Sequence, residues 1–491
     1  MNTLDWTVLI LFFLITIVVG IISYFKTKDS TDFFVAGGKL PYWLLGISHH
    51  VSGYSGAVFV AYAALAYTHG FSIYVWWAFT VGVTIIFGAY FFPKLWVTQR
   101  IKKGITSPLE FLAKRYSLPT QQIIAWCGVV LKLFDMAAKW VAISIILNVF
   151  TGLPLVYGIL LSGGVSVFYI TIGGFRAVVL TDFFQFVVQL VAGIAMFIIV
   201  IVKLGGASSI IGIWEELPPQ NSQLFNSPYT VLFAIAFLLI NFFSYNGGTW
   251  SLATRFISAR DEASAKKSSI LSGVLYLIWP LIIFFPMWAS PLLFPNVENP
   301  ETIYGILTLE LLPHGLIGIV LASMFANTMS MTSSDANTIA AVINRDILPN
   351  LSDRFRNTSK KGALTSARVT TFLFLTFTII LALFSDHFGG VLGLLINWFA
   401  AFLGIMSVPM ILGLLPFFKR CKSKGAIISM IAGFSTFVIT KIFITDSVYA
   451  MNPNFKAVEI GAPTVITLIT FLLFTIKIKR EKHHNNNYEA I

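Results

Sequence analysis

Apolar runs long enough to cross a bilayer recur along almost the whole chain, separated by short polar stretches. A helix needs about 20 apolar residues to cross ~30 Å of hydrocarbon. That rule predicts about thirteen spans, near 5–25, 42–68, 72–98, 119–150, 153–174, 178–204, 230–257, 268–294, 314–343, 364–386, 390–417, 424–445 and 461–479. The alternating-residue pattern of a closed β-barrel does not recur, so the predicted class is an all-α polytopic membrane protein. The first run, "MNTLDWTVLILFFLITIVVGIISYFKTK", could be mistaken for a cleaved leader. Its positive charges follow the apolar stretch and no small-residue cleavage site closes it, so it is expected to remain as the first helix.

Composition agrees: of 491 residues 57% are hydrophobic and 11% charged, against about 25% charged in soluble domains. The net charge of +12 is placed as a topology signal rather than as a nucleic-acid surface. Basic residues occupy alternate loops: Lys26 and Lys28, Arg100 to Lys103, Lys114 and Arg115, Arg176, Arg255 to Lys267, Arg345 to Arg368, Lys419 to Lys424, and Lys477 to Lys482. The other side carries "WEELPPQNS" at 214–222, "PNVENPET" at 295–302 and "SDHFGG" at 385–390. Positive loops stay in the cytoplasm, which puts the N-terminus outside, the C-terminus inside and the chain in the plasma (cytoplasmic) membrane. Cys127 and Cys421 have no metal or disulfide spacing.

Two spans are interrupted. The second contains "SHHVSGYSG" at 48–56 and the seventh "NFFSYNGGTWS" at 241–251. They lie five spans apart and so cross in opposite directions. Paired Gly-interrupted segments at matching positions of two halves point to an inverted repeat with a binding site at mid-membrane. An unwound helix frees carbonyls, for which a cation or polar solute is a suitable partner. Close helix packing through small residues is the alternative.

Ionisable residues inside spans reinforce the site reading, because each costs ~2.5–3.5 kcal/mol at a helix centre. Asp182 opens the sixth span, and the fourth contains Lys132, Asp135 and Lys139. Asp135 and Lys139 stand one turn apart. They can neutralise each other, with Lys132 snorkelling to an interface, or they can face a solute. In the ninth span Ser330, Ser333 and Ser334 share a helical face of hydroxyls, suited to a hard cation such as sodium or to small-residue packing. No enzyme is expected: the His49–His50 pair lacks the spacing of an HExxH metal site, and no GxSxG elbow occurs.

These residues resemble the sodium:solute symporter family from roughly residue 5 to 480. The resemblance rests on "DFFVAGGKLP" at 32–41, "GITSPLEFLAKRY" at 104–116, "GGFRAVVLTDFFQ" at 173–185, "MSMTSSDANTIAAVINRDI" at 329–347 and "KSKGAIISM" at 422–430. It implies a LeuT-like core of five plus five inverted helices with broken first and sixth core helices. The repeats would occupy 42–204 and 230–417, with an extra helix at 5–25, C-terminal helices at 424–479 and a polar tail at 481–491. By position, the main sodium site would use carbonyls of Ser48, Val51 and Asn327 and the Ser330 hydroxyl. Met331 replaces the family's next hydroxyl. A second sodium site would use Ser330, Ser333, Ser334 and Asp182. Sodium is the only metal, no cofactor is implied, and protons are an alternative through His49 and His50.

The implied function is sodium-coupled symport of a small polar solute, a sugar or sugar acid, by a monomer working through alternating access. The alternatives are a carboxylate or amino acid, driven by sodium or protons, and a non-transporting sensor. Galactose-type contacts are replaced by Val75, Thr249, Trp250 and Tyr276. Asp135 stands where sialic-acid members place an arginine. The expected solute contacts are His50, Ser52, Ser55, Asp135, Lys139, Asn246, Thr249 and Asn397, with Tyr54, Tyr74, Tyr245 and Trp250 as aromatic lids.

Overall fold

The computed structural model describes residues 1–384, 403–444 and 452–485. Among them there is no strand, and helices occupy the predicted spans. Fifteen carry the architecture: α1 (Thr3–Lys26), α2 (Tyr42–Val51), α3 (Ala61–His69), α4 (Thr80–Gly88), α5 (Phe92–Lys103), α6 (Leu118–Thr151), α7 (Leu155–Lys203), α8 (Val231–Phe243), α9 (Trp250–Ile257), α10 (Glu262–Leu293), α11 (Leu316–Val342), α12 (Lys360–Leu383), α13 (Gly404–Leu414), α14 (Ser423–Ile439) and α15 (Phe455–Asn485).

Eight described helices are long and apolar enough to cross a membrane by themselves, or nine if α4 and α5, which meet at 53°, count as one bent span. The other predicted runs fall short of that simple test for visible reasons. The run at 42–68 is split into α2 and α3, and α6 carries Lys132, Asp135 and Lys139. The runs at 153–174 and 178–204 share α7, and most of the run at 390–417 lies outside the described residues.

α7 spans 49 residues, too long for one crossing at ~1.5 Å per residue. Gly174 divides it, with φ +60° and ψ −158°, a conformation reserved for glycine. A Cβ there would stand 2.7 Å from the Phe33 carbonyl oxygen. Gly174→Ala is therefore expected to lower the thermal midpoint of the purified protein. Gly164→Ala, where a Cβ meets nothing within 4 Å, is the control expected to leave it unchanged.

α11 lies at the centre: 89% of its most apolar window is buried, against 33–61% for the other long spans. That placement is what its polar sequence requires, since hydroxyls and carboxylates facing lipid would lack partners. Asp5 caps α1 through Asn2 and also accepts the amides of Gly315 (2.6 Å) and Gly318 (3.2 Å), which pins the extra N-terminal helix to the start of α11. At the other end two of the quoted motifs meet, where Asp346 accepts from Ser107 Oγ and from Gln121 Nε2.

Candidate solute and cation site

The second span breaks after Val51. The carbonyls of Ser48, His50 and Val51 accept the amides of Ser52, Gly53 and Tyr54 at 3.0–3.1 Å, and the chain passes through a short 3₁₀ turn at Gly56–Val58 before α3. Gly53 is required because a Cβ would collide with Tyr276 Oη, which donates to the His50 carbonyl. The Gly56 amide donates to Thr328 Oγ1 at 3.0 Å and ties the break to α11. The seventh span breaks at Ser244–Gly248, a π turn with Gly247 at φ +115°. There Trp96 Nε1 donates to the Asn246 carbonyl at 3.0 Å. Both interruptions thus fall where the glycines placed them.

On one side of the first break α2, α7, α9 and α11 converge on Asp182. Ser330 Oγ donates to its Oδ1 at 2.5 Å, and Ser48 Oγ donates to Oδ2 at 2.5 Å. Ser52 Oγ lies 3.5 Å from Oδ2 and 3.0 Å from Ser334 Oγ. Ser333 instead donates back to the Ser330 carbonyl at 2.9 Å. The positive charge among these oxygens belongs to the chain. Arg255 Nη2 lies 3.1 Å from Asp182 Oδ2 and donates to Ser52 Oγ (2.5 Å) and to Ser334 Oγ, while Nε donates to Ser48 Oγ at 3.1 Å. The expectation that Arg255 belongs to a basic cytoplasmic loop is thereby corrected: it is fully buried, in the last turn of α9. In this conformation two of the four residues expected to hold a second sodium, Asp182 and Ser334, contact the guanidinium directly.

On the other side lies a cavity of about 170 Å³ beside Gly53 and Ser55. Its walls are aromatic, with Tyr62, Trp76, Trp77, Tyr229, Phe233 and Phe237. Polar groups reach it from Ser55, Asp135, Lys139, Asn241, Tyr245 and Lys456, and Met331 borders it as well. Met331, which stands where the resemblance expects a hydroxyl, therefore lines this cavity.

Of the predicted solute contacts among the described residues, Ser55, Asp135, Lys139 and Tyr245 line this cavity and the others pack elsewhere. His50 sits in an aromatic cluster, 4.8 Å from the Tyr54 ring and 4.7 Å from that of Tyr276. Its ring nitrogens have no hydrogen-bond partner. His49 Nδ1 lies 2.8 Å from Ser272 Oγ. Tyr54 stacks on Tyr276 at 5.4 Å, and Tyr74 Oη donates to the Leu277 carbonyl at 2.8 Å. Ser52 belongs to the Asp182 cluster. Asn246 Nδ2 donates to the Phe242 carbonyl at 2.8 Å, and the Thr249 amide to the Ser244 carbonyl at 2.9 Å. The Trp250 ring packs over Gly128. Asn397 lies outside the described residues. Asn327 Nδ2 donates to the Ser323 carbonyl at 2.8 Å, while Val51 belongs to the broken end of α2.

Asp135 and Lys139 belong to a ring of four alternating charges. Lys132 Nζ is 2.7 Å from Asp135 Oδ2 and 2.9 Å from Asp335 Oδ2, and Lys139 Nζ is 2.7 Å and 3.0 Å from the same two atoms. Lys132, for which snorkelling to an interface was one of the two readings, is held by both carboxylates. Sequence reasoning missed Asp335 and Arg255. A further carboxylate in the most polar span, and an arginine flanked by apolar residues just past a break, were the available signals.

The profile of the sodium:solute symporter family matches residues 33–433. The chain is 26% identical to the sodium/glucose cotransporter of Vibrio parahaemolyticus, covering 82% of this chain and 78% of that one. It is 25% identical to the sodium/sialic acid symporter NanT of Aliivibrio fischeri, covering 89% and 87%. Among solved structures, a substrate-bound, outward-open Na⁺-coupled sialic acid symporter superposes with a TM-score of 0.79 at 21% identity, covering 96% of this chain and 98% of that one. The nucleobase-cation symporter Mhp1 gives 0.57 at 16% identity, covering 91% and 94%. These two share the LeuT-like fold with this chain. With the family profile spanning most of its length, two broken helices of opposite direction and a central cavity between them, the chain belongs to the sodium:solute symporter family.

Proposed function

We propose that this symporter carries a small polyhydroxylated solute, a sugar or sugar acid, inward with sodium across the plasma membrane, as a monomer with its N-terminus outside. The observation that carries this reading is the aromatic cavity beside the broken second span, with Asp135 and Lys139 at its polar end. Aromatic faces suit the apolar face of a sugar ring, and the charged pair suits hydroxyls. The names of two relatives, a sodium/glucose and a sodium/sialic acid transporter, point to the same solute class. The cavity extends toward Phe233, Lys456 and Ile460, at the starts of α8 and α15, which the loop charges assign to the outer face.

Sodium is read into the oxygens of Ser48, Val51, Asn327 and Ser330, where α2 ends against α11. Ser330 belongs to this set and also donates to Asp182, so loading sodium changes the hydroxyl shared with the Arg255 cluster. The first break lies between cation and solute, and its ordering by one raises affinity for the other, reciprocally. Rocking of the core helices then exposes the cytoplasmic side.

The test is uptake of radiolabelled sugars and uronates into proteoliposomes with and without an inward sodium gradient. Tyr245→Ala, which removes a ring from the cavity, is expected to reduce solute affinity about tenfold while leaving sodium dependence in place. Unchanged solute affinity would remove the cavity from the reading.

A further inference from the structure

We infer that the foot of α2 binds one anionic phospholipid, with its phosphate held between Lys267 and Arg176 and its acyl chains lying along the outer faces of α7 and α10. The inference does not depend on which solute is carried; it rests on the chain's being a membrane protein.

α7 and α10 meet where the Trp279 ring stands against Gly193. Toward the end that the loop charges assign to the cytoplasm, α2 lies against both. Its Gly46 faces the Ser268 carbonyl and Leu271 of α10, and His49 Nδ1 lies 2.8 Å from Ser272 Oγ. Toward α7, the Trp43 ring meets that of Phe183 edge-on at 5.4 Å. The first turn of α2 nevertheless stays uncovered, with Tyr42 43% and Trp43 42% exposed. Tyrosine and tryptophan at the end of a span belong at headgroup depth.

Each flank of this turn carries a stripe of exposed apolar side chains headed by a cation. On α10, Lys267 precedes Val274, Ile278 and Leu281 on one helical face. On α7, just after the break at Gly174, Arg176 precedes Phe183 and Val187 in the same way. Lys267 Nζ lies 5.7 Å from the centre of the Tyr42 ring, and Arg176 Nε is buried with no hydrogen-bond partner. Among the described residues neither cation takes part in an ion pair. The carboxylates that open α10 are engaged elsewhere. Glu262 accepts from Thr98 Oγ1 at 2.8 Å, while Asp261 accepts the Ser264 amide at 2.7 Å and pairs with Arg260. Lys266, 4.0 Å from the centre of the Tyr90 ring, adds to the positive charge.

Two uncompensated cations that head apolar, lipid-facing stripes call for an anion carrying its own hydrocarbon. A soluble phosphate answers the charge and leaves the aromatic turn and the stripes bare. A zwitterionic lipid covers the stripes but brings an ammonium group against the cations. An anionic diacyl lipid meets both needs: a guanidinium takes phosphate through two parallel N–H bonds, and basic pockets between helices on the cytoplasmic side suit anionic headgroups. Because α2 ends at the first break and carries Ser48, the lipid lies against the half-helix on which the cation reading depends.

The test uses the full chain in phosphatidylcholine vesicles containing a minor fraction of phosphatidylglycerol, with brominated acyl chains on one lipid or the other. Bromine quenches neighbouring tryptophans, and the Trp43 contribution is the difference between each protein and its Trp43→Phe counterpart. That contribution is expected to report phosphatidylglycerol enriched about fivefold or more over its bulk fraction. In Arg176→Gln/Lys267→Gln the enrichment is expected to fall to near unity. Lys267→Gln alone, at an exposed position, should lose at least half of it. Lys360→Gln/Lys361→Gln, which removes the same charge from the start of α12, is expected to leave it unchanged. Equal loss in the two double variants would reduce the site to a general surface attraction and overturn it, as would the absence of enrichment in the unsubstituted protein. Excess glycerol 3-phosphate should not displace the lipid; displacement would assign the cations to a soluble phosphate instead. None of these readouts involves uptake, so a failure here leaves the transport reading standing, and a failure of sodium-driven uptake leaves this site standing.

Discussion

Arg255→Ala is expected to destabilise the protein by about 3–5 kcal/mol, the usual consequence of removing one partner from a buried ion pair. The guanidinium is fully buried and serves Asp182, Ser48, Ser52, Ser334 and the Ser251 carbonyl together. Removing it leaves a carboxylate among hydroxyls with no counter-charge. Thermal unfolding in detergent should show the loss, and Asp182→Asn should show one of similar size. The double variant Arg255→Met/Asp182→Asn should recover much of it, because no charge then remains unpaired. A sodium-dependent signature is also expected. The vacated oxygens suit a hard cation, so added sodium should raise the midpoint of Arg255→Ala more than that of the wild type. Equal sodium responses would mean that these oxygens do not form a cation site once the guanidinium is gone.

The second large effect is expected at Ser330. Its hydroxyl is assigned both to sodium and to Asp182, and the next residue, Met331, supplies no second hydroxyl. Ser330→Ala should raise the sodium concentration for half-maximal uptake at least tenfold. By linkage, apparent solute affinity at low sodium should fall in parallel and return toward the wild-type value at saturating sodium. Asp182 keeps Arg255 and Ser48 in this variant, so stability should change little. A fall in solute affinity that saturating sodium does not correct would place Ser330 in the solute site and remove it from the cation set.

Much of the architecture was legible in the sequence because membrane helices announce themselves by length and apolarity. The two breaks were legible because glycines and polar residues inside such runs have few other uses, and Gly53 and Gly247 stand at positions where a side chain cannot fit or cannot adopt the backbone. Charge partnerships were harder. Asp135 and Lys139 advertise themselves by one-turn spacing, but Asp335, which completes the ring with Lys132, lies on another helix about 200 residues away in the chain. Arg255 was hidden by its position near a basic loop, where an arginine ordinarily marks the cytoplasmic face. Only the packing of α9 against α2 and α11 shows that it turns inward. Likewise, the face on which His50, Tyr54 and Trp250 lie depends on the turn at the breaks, which no helical periodicity describes.

Sodium coupling is tested most directly by the concentration ratio reached in proteoliposomes holding this protein, with sugars and uronates outside. With an inward sodium gradient and an inside-negative potential, internal solute should exceed external solute roughly tenfold or more, since each charge moved inward contributes ~2.3 kcal/mol per 100 mV. With potassium replacing sodium the ratio should stay at unity, and a pH gradient should not substitute. Equal ratios in sodium and potassium, or accumulation that follows the pH gradient alone, would contradict sodium coupling in this chain.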